Sequence, residues 1–352
     1  MNREKSENSV GIISDEKCCR TEFLSAENNE NIKRAAEIIK NGGLVAFPTE
    51  TVYGLGANAL DPEAARKIYA AKGRPSDNPL IIHIAEPEDA EKYAYTSELY
   101  YKIAERFMPG PITVILPKRP CIPDTVTGGL NTVAIRVPAD FYASKLISYA
   151  GVPIAAPSAN ISGRPSATLA RHCLADFDGR IDAILDGGEC TFGLESTIVK
   201  PTSDGKLRLL RPGAVTPDDL RRICNDIEID PAVLNKFSGT PEAPGMKYRH
   251  YAPSAPVIIL DGADEQVYKF LSDKSDCGIL CYSEDMPRVS GKKVLSMGSR
   301  YSPAEQAHML FACLRNFDEV PVIYARMPSK NGIGLAVFNR LIKAAGYEII
   351  SL

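Results

Sequence analysis

The sequence has no long hydrophobic run, no C-x-x-C pair of cysteines and no strong charge of either sign. It contains no stretch of about 18 apolar residues, and its polar N-terminus lacks a signal-peptide core, so we expect a cytoplasmic protein without a membrane span. The nine cysteines are an odd number without a C-x-x-C pair, which argues against a disulfide framework and a zinc site. A net charge of -3 gives no general basic field for nucleic acid, so any RNA contact would be local.

The familiar phosphate-binding motifs are also missing. No G-x-x-x-x-G-K-[ST] sequence occurs, which argues against a P-loop nucleotidase. Gly54, Gly56 and Ala59 satisfy G-x-G-x-x-A, but six residues separate Gly54 from the preceding predicted strand at residues 44–47. A dinucleotide-binding fold needs an immediate tight turn at that point. We therefore interpret the match as accidental.

The length of the chain, 352 residues, exceeds a usual single core and predicts two domains. Residues 1–25 are polar and without pattern, so we expect a mobile tail. Four prolines within residues 238–256 indicate a semi-rigid linker. The predicted organisation is therefore a tail over residues 1–25, a larger domain over 26–225, a proline-rich linker or lid over 226–256 and a smaller domain over 257–352.

The two domains differ in their predicted folds. Short apolar runs in the larger domain, some joined without a helix, predict a mixed twisted α/β sheet with packed helices, with strands near residues 44–47, 80–85, 112–116, 132–137, 153–156, 181–185, 196–199 and 207–210. In the smaller domain, apolar strands alternate with predicted helices, which indicates a parallel α/β domain of Rossmann-like type. The smaller domain contains no catalytic cluster, and we expect it to support the linker or mediate contacts.

A predicted helix follows the first of these strands. Asp61 is its N-cap, Pro62 its first residue and Gly73 its end, so that Lys72 and Arg74 emerge together at its C-terminus. The two cations could simply stabilise the negative end of the helix dipole. Alternatively, they form a phosphate pocket with the hydroxyl-rich loop after the strand, because anions need fixed donors and positive charge.

Other polar candidates lie within or next to apolar strands. His83 is in a predicted strand, where a histidine is more often a satisfied core residue than a ligand group. Arg136 either sits at a sheet edge beside a surface carboxylate or binds an anion, such as a substrate carboxylate, through its bidentate fork. The loop at residues 158–168 fits ordinary turn chemistry, but it follows a strand end, where open α/β sheets bind ligands.

The linker contains a basic and aromatic cluster, MKYRHY, at residues 246–251. It is either a solvated charged run or a functional segment. The candidates along the chain are mostly cations and hydroxyls, and no Ser-His-Asp spacing occurs. Such side chains suit positioning and charge stabilisation in phosphoryl or nucleotidyl transfer.

Several motifs occur together in one order: PTETVYGLGANA, KGRPSDNPLIIHI, TVAIRVP, APSANISGRPSAT, STIV and LRPG. In this combination the chain resembles the YrdC-like family of threonylcarbamoyl-AMP synthases. The PGMKYRHYAP segment and the second domain resemble the long, two-domain form of that enzyme. The resemblance covers roughly residues 30–352, and it implies a YrdC-like fold for the larger domain.

The resemblance also implies a reaction. ATP, L-threonine and bicarbonate or CO2 would give L-threonylcarbamoyl-AMP and pyrophosphate, and a tRNA threonylcarbamoyltransferase complex would use the product to modify tRNA next to the anticodon. The enzyme would be a nucleotidyltransferase. Mg²⁺ would be held mainly by the ATP phosphates, since no protein ligand can be named.

The family's residues fall on matching positions of this chain. Lys72 and Arg74 would be catalytic, and the linker would fold over the ATP site as a lid. The residues implied for L-threonine are Thr51, His83, Arg136, Ser158 and Ser196. Those implied for ATP are Arg74, Asn78, Thr132, Asn160, Thr168, Arg211, His250 and Tyr251.

Two alternatives remain open. A related carbamoyl-transfer enzyme could use the same pocket with carbamoyl phosphate, but it should carry acylphosphatase and zinc-finger segments, which are absent from this sequence. Alternatively, the chain could be a non-catalytic module whose groove binds tRNA or double-stranded RNA. The negative net charge and the lack of an aromatic RNA-binding motif argue against this, although direct tRNA binding through a local patch stays open.

Overall fold

The computed structural model describes residues 20–235, 242–244 and 250–352. Within these ranges an eleven-stranded sheet and a five-stranded sheet define two α/β domains. The predicted mixed sheet with packed helices is confirmed. Its strands are β1 (Glu22–Ser25), β2 (Val45–Phe47), β3 (Gly54–Asn58), β4 (Ile81–His83), β5 (Ile112–Pro117), β6 (Thr132–Arg136), β7 (Ile154–Ala155), β8 (Ala183–Asp186), β9 (Thr197–Pro201), β10 (Leu207–Arg211) and β11 (Ile227–Ile229).

Helices cover both faces of this sheet. Val45 and Phe47 of β2 pack in one cluster with residues of α1 and α5, whereas Ala46 belongs to the cluster on the other face, with residues of α2 and α3. A sheet covered on both sides explains why its strands read as continuous apolar runs. The helices are α1 (Asn29–Lys40), α2 (Pro62–Lys72), α3 (Glu98–Phe107), α4 (Asp124–Thr127), α5 (Phe141–Ala150), α6 (Ala170–Phe177) and α7 (Pro217–Arg221).

The strand order of the larger sheet is β1-β8-β2-β3-β7-β4-β6-β5-β9-β10-β11, with both parallel and antiparallel neighbours. The parallel pair β4 and β6 is central to the site, because it places His83 opposite Arg136. β7 runs antiparallel to both β3 and β4. The predicted end signals of α2 are also confirmed: the Asp61 side chain accepts from the Glu63 amide, and Gly73 adopts the left-handed conformation.

The segment with Gly54 and Gly56 is a strand, although its glycines suggested a loop. Neither residue has a positive φ. Instead, a Cβ atom on Gly56 would lie 2.8 Å from the Phe47 ring and 2.9 Å from the Ile154 side chain, and one on Gly54 would lie 3.2 Å from the Phe47 ring. The glycines are therefore needed for close packing of β3 against Phe47.

Two predicted boundaries need correction. The tail was expected to extend to residue 25, but β1 forms a parallel pair with β8; residues 1–19 lie outside the described part. The linker was expected to begin at residue 226, but β11 pairs with β10 and extends the larger sheet. Neither short strand has a strong apolar pattern, because both lie at sheet edges.

The smaller domain is a fully parallel sheet with the order β14-β13-β15-β12-β16, which confirms the Rossmann-like prediction. Every residue of α10 is buried, as expected for a helix covered on all sides. The elements are β12 (Val257–Asp261), β13 (Gly278–Cys281), β14 (Lys293–Ser296), β15 (Ile323–Arg326), β16 (Ile349–Ser351), α8 (Asp264–Ser272), α9 (Pro303–Arg315) and α10 (Gly334–Ala344).

The two domains share a hydrophobic cluster. Val52 and Leu194 of the larger domain pack with Tyr251 in the core of the smaller one. Within the described ranges, no helix is long and apolar enough to cross a membrane. The cysteines from Cys121 onward are free thiols.

Candidate active site

A cavity lies at the carboxyl ends of several strands of the larger sheet, where several chain segments meet. His83, Arg136 and Arg211 are the last residues of β4, β6 and β10, and Lys72 is the last residue of α2. The structure thus brings together most of the residues that the sequence singled out. Those that line the cavity are Lys72, Arg74, His83, Arg136, Ser158, Asn160, Ser196, Arg211, His250 and Tyr251.

The loop at residues 158–168 is held from two sides. Backbone hydrogen bonds join it to the chain next to β3, from Tyr53 N to Ala167 O (2.8 Å) and from Ala159 N to Tyr53 O (2.7 Å). Lys72 Nζ donates to the carbonyl oxygens of Ser158 and Asn160, both at 2.5 Å. Burial and the nearby Arg74 charge hold the pKa of Lys72 well below its usual range. In this arrangement Lys72 fixes the loop.

Ser158 and Asn160 also interact with each other. The Ser158 hydroxyl donates to Asn160 Oδ1 at 2.5 Å, and the Asn160 amide nitrogen donates to the carbonyl oxygens of Ile161 and Arg164. These side chains therefore set the shape of the loop and also line the cavity.

His83 presents a neutral ring. Burial, followed by the Arg136 charge, lowers the pKa of His83 to about 3. Its Nδ1 atom lies 3.3 Å from the Ile154 carbonyl oxygen. Because a carbonyl oxygen only accepts, Nδ1 carries the proton and Nε2 is left as an acceptor. The histidine therefore makes a core contact through Nδ1 and, in this tautomer, has Nε2 as an acceptor.

Arg136 is not at a sheet edge, and its carboxylate partner is buried. Its Nη2 atom lies 2.8 Å from Glu50 Oε1, with the two side chains 5% and 8% exposed. The contact lacks hydrogen-bond geometry, and Arg136 Nε has no hydrogen-bond partner among the described residues. Arg136 therefore has donor capacity left beside the cavity, which a bound anion could use.

Ser196 and Arg211 form a second polar group in the cavity. Arg211 donates to the Ser196 carbonyl oxygen at 3.0 Å and to the Ser196 hydroxyl at 3.1 Å. The same hydroxyl lies 2.8 Å from Thr113 Oγ1. Burial lowers the pKa of Arg211 to about 10, with partial compensation by Glu195, so the guanidinium stays charged at neutral pH.

Residues from the linker close one side of the cavity. The Tyr251 ring stacks on Phe311 of α9 with a centroid distance of 5.1 Å, and its backbone has a φ of 63°, which is unusual for a bulky residue. The neighbouring Ala252 amide donates to the Gly163 carbonyl oxygen at 2.8 Å. Burial, then the Arg74 charge, lowers the pKa of His250 to about 3. The other residues of the predicted cluster, 246–249, lie outside the described part.

Some predicted residues do not line the cavity. Thr51 is fully buried, with its hydroxyl 2.9 Å from that of Thr49, and Thr168 is also buried. Asn78 is buried as well, and its carbonyl oxygen accepts from Arg74. Thr132 begins β6, roughly 13 Å from Arg136 at the other end of the strand. The substrate contacts assigned to these residues stay predictions.

The sequence analysis missed several side chains in and around the cavity. Glu195 and Arg164 line the cavity and were not singled out. Thr49 and Tyr53, in the hydroxyl-rich loop expected near the pocket, also line it without an assigned substrate, and Glu50 of the same loop contacts Arg136. Acidic residues directly before Ser196 and Thr51 were visible signals, since carboxylates beside predicted anion contacts need an explanation. Burial opposes the charge of Glu195, but Arg340 and Arg211 outweigh it and leave the pKa of Glu195 below its usual range.

In the described ranges, no three His, Cys, Asp or Glu side chains are grouped so that they could hold a metal ion. The cavity instead offers guanidinium groups, hydroxyls and the neutral histidine. Such a site can bind anionic and amino-acid groups and stabilise negative charge.

The fold and cavity define a two-domain α/β protein with a cation-rich cavity between its YrdC-like domain and its linker. Two family models match the chain. The Sua5_yciO_yrdC model, described as telomere recombination, matches residues 37–213. The Sua5_C model, described as the C-terminal domain of threonylcarbamoyl-AMP synthase, matches residues 215–346. The chain belongs to the threonylcarbamoyl-AMP synthase family, in its long form.

Curated relatives and solved structures agree with this assignment. The threonylcarbamoyl-AMP synthase of Pyrococcus abyssi is 48% identical over 335 residues, which cover 91% of this chain and 96% of the relative. That of Bacillus subtilis is 44% identical, covering 94% and 97%. A crystal structure of P. abyssi Sua5 complexed with L-threonine is similar, with a TM-score of 0.88 and 44% identity over 94% of this chain and 99% of that one.

Proposed function

We propose that the protein condenses L-threonine, bicarbonate or CO2, and ATP into L-threonylcarbamoyl-AMP and pyrophosphate. The full-length relatives named as threonylcarbamoyl-AMP synthases support this activity. A solved relative complexed with L-threonine supports the amino-acid substrate. In this proposal the protein is a nucleotidyltransferase that acts in the cytoplasm.

The observation that carries the proposal is the pairing of His83 with Arg136 at the cavity. The two residues lie in register on parallel strands, so a fixed acceptor is next to a fixed cation. Arg136 would hold the threonine carboxylate, for which its planar fork is suited. His83 Nε2 would accept a hydrogen bond from the threonine hydroxyl or amine. Ser158 and Ser196 would complete the contacts.

In the proposed reaction, all bonds form and break among the substrates. The threonine amine forms a bond to the carbon of CO2 and loses a proton, which gives a carbamate. A carbamate oxygen then attacks the α-phosphorus of ATP, and the bond to the β,γ-phosphates breaks to release pyrophosphate. With bicarbonate, water leaves in the first step. The protein would act by holding the two substrates in line and by excluding competing water.

Charge stabilisation would fall to the cations at the edge of the cavity. Arg74 and Arg211 would face the phosphates, and Lys72 would hold the loop carrying Ser158 and Asn160. His250 and Tyr251 would close the ATP side as part of the linker. Mg²⁺ would accompany the triphosphate and shield its charge, and the described residues offer no cluster that would hold the ion in its absence.

The product would be passed to a tRNA threonylcarbamoyltransferase complex. A mixed carbamic–phosphoric anhydride is an activated acyl donor, so the consuming reaction must be a carbamoyl transfer to a nucleophile. Such a transfer fits the threonylcarbamoyladenosine modification of tRNA next to the anticodon.

The proposal is tested by measuring pyrophosphate release and the mass of the product. Release should require threonine and bicarbonate together, and equal release without either would reject the proposed acceptor. Replacing ATP and bicarbonate by carbamoyl phosphate should give no product. An RNA titration at several salt concentrations provides the alternative outcome: tight, salt-dependent binding without synthesis would favour an RNA-binding module.

A single variant tests the role of Arg74. Arg74→Ala should remove roughly 2–4 kcal/mol of transition-state stabilisation, the scale of one preorganised donor. The value is obtained from kcat/KM for ATP at saturating threonine. Near-normal turnover would reject the role of Arg74 while leaving the overall reaction in place.

A further inference from the structure

Arg340 is a fully buried arginine of the smaller domain whose hydrogen bonds to described residues go to Glu195 and Pro212 at the cavity of the larger domain and to its own neighbour Asn339. It lies in α10, and its side chain is 0% exposed. Its Nε atom donates to Glu195 Oε2 at 3.0 Å, and Nη2 donates to the Glu195 carbonyl oxygen at 3.2 Å. Nη1 donates to the Pro212 carbonyl oxygen at 2.6 Å and to Asn339 Oδ1 at 3.1 Å. All three nitrogens are thus engaged.

The two partners in the larger domain are chain neighbours of cavity residues. Glu195 precedes Ser196, and Pro212 follows Arg211. Because Arg211 donates twice to Ser196, Arg340 fixes both ends of an existing polar pair. The guanidinium group therefore connects the start of β9 to the end of β10 at the cavity.

Glu195 carries the connection to a third segment. Its Oε1 atom accepts from the Ser166 hydroxyl at 2.5 Å, and Ser166 belongs to the loop at residues 158–168. That loop also contains Ser158 and Asn160, both at the cavity. A single side chain from the smaller domain thus supports three segments that build the site, which lie far apart in the sequence.

A purely structural role is the competing explanation. A buried ion pair is often no more stabilising than apolar residues of the same volume, so packing alone does not require one here. What the pair adds is direction: a planar guanidinium with several fixed donors sets the relative positions of two backbone segments. Fixed positions of these two backbone segments also fix the cavity residues next to them, which is what a site that works by orienting its substrates requires.

We propose that Arg340 is a positioning residue for the cavity, acting through Glu195 and Pro212 on Ser196, Arg211 and the loop at residues 158–168. The reaction through which its effect is measured rests on the proposed function. In this view the smaller domain is an integral part of the active site, although none of its own residues needs to touch a substrate.

The test uses two variants of the full chain and a control. Arg340→Lys keeps the positive charge beside Glu195 but loses the forked donors that also reach Pro212. The double variant Glu195→Gln with Arg340→Met removes both charges of this ion pair together, so neither member of the pair is left buried without the other. Arg288→Ala is the control, because Arg288 lies in the same domain and is half-exposed, with its partner Glu265 on the surface.

We expect kcat/KM for threonine to fall at least tenfold in both test variants, with most of the loss in kcat, and to stay within twofold in the control. The double variant should unfold at a denaturant concentration close to that of the wild type and still be impaired. Turnover within twofold of the wild type in either folded test variant would overturn the proposal, because charge balance alone would then be sufficient.

Hydrogen exchange measured by mass spectrometry separates this proposal from the proposed function. Peptides covering residues 158–168 and 195–213 should exchange at least fivefold faster in both test variants and unchanged in the control. If the wild-type protein made no product but these peptides still lost protection, the proposed function would fail and positioning would stand. Unchanged exchange in both test variants would overturn positioning whatever the activity.

Discussion

Lys72 Nζ donates a hydrogen bond of 2.5 Å to the backbone carbonyl oxygen of Ser158. A second bond of the same length goes to Asn160. Lys72 is only 2% exposed. Its two hydrogen bonds link the end of α2 to the loop after β7. The lysine was predicted to act on phosphates, but its contacts in this structure are those of a residue that shapes the site.

Replacing Lys72 should therefore affect both stability and activity. Lys72→Met would remove the lysine donor from the buried Asn160 carbonyl oxygen and leave the Ser158 carbonyl oxygen with only the Asn160 amide. We expect the free energy of unfolding to fall by about 1–3 kcal/mol. Turnover should fall with it, because the loop carrying Ser158 loses its support. Urea denaturation and steady-state kinetics measure the two effects. Lys102→Met, at an exposed ion pair with Glu98, is the matched control and should change stability by less than about 0.5 kcal/mol.

If Lys72 acted only on bound phosphate, the outcome would differ. Lys72→Met would then lose turnover and keep its denaturation midpoint. That result would restore the role expected from the sequence and remove the structural one.

Arg136→Lys tests whether the guanidinium fork recognises a carboxylate. Lysine keeps the charge but provides a point donor in place of two parallel ones. We expect KM for threonine to rise by about tenfold or more, equivalent to at least ~1.4 kcal/mol, while KM for ATP stays within about twofold. The measurement is pyrophosphate release at varied threonine and saturating ATP. Equal increases in both KM values would indicate general damage to the site.

The buried histidine at the cavity predicts a pH dependence of stability. The pKa of His83 is about 3 in the folded protein and 6.5 in the reference state, so the folded state favours the neutral ring. The stability that the folded state keeps by holding His83 neutral is fully present above pH 6.5 and is lost as the pH falls towards 3. In this window His83 should lower the free energy of unfolding by up to about 1.4 kcal/mol per pH unit.

Denaturation of the wild type and of His83→Gln across this window measures the effect. Because carboxylates also titrate there, the informative quantity is the difference between the two curves, which should shrink as the pH falls. Parallel curves would show that His83 is not held neutral by the fold.

Gly56→Ala tests the packing reason for the glycines of β3. The added methyl group would meet the Phe47 ring at 2.8 Å and Ile154 at 2.9 Å, and we expect a loss of about 1–3 kcal/mol in the free energy of unfolding. Gly54→Ala, with its nearest contacts at 3.2 Å, should cost less. Thermal denaturation of both variants provides the comparison. The reverse order would contradict the packing argument.

Local sequence signals determined much of the fold. The capping residues of α2, Asp61 and Gly73, are local, so the helix ends could be predicted from the residues themselves. The alternation of strands and helices after residue 257 was equally clear. Edge strands β1 and β11 could not be recognised, because their apolar pattern is weak and their pairing partners lie elsewhere in the chain.

The site could be predicted only in part. Single residues with unusual surroundings can be recognised from the nearby sequence, but the contacts between distant residues cannot. Residues such as His83 and Arg136 could be singled out because a polar side chain in an apolar strand needs a reason. Nothing local indicated that the two would face each other in register, or that Lys72 would bind carbonyl oxygens.

The sequence by itself determined where helices and strands form and which polar side chains needed a function, because caps, turns and periodicity act over a few residues. Only the tertiary structure decided which strands are neighbours and which charges meet. Glu195 and Arg340, 145 residues apart, illustrate the reason. Their contact depends on how two domains bury each other's surfaces, and burial of that kind is a property of the packed chain.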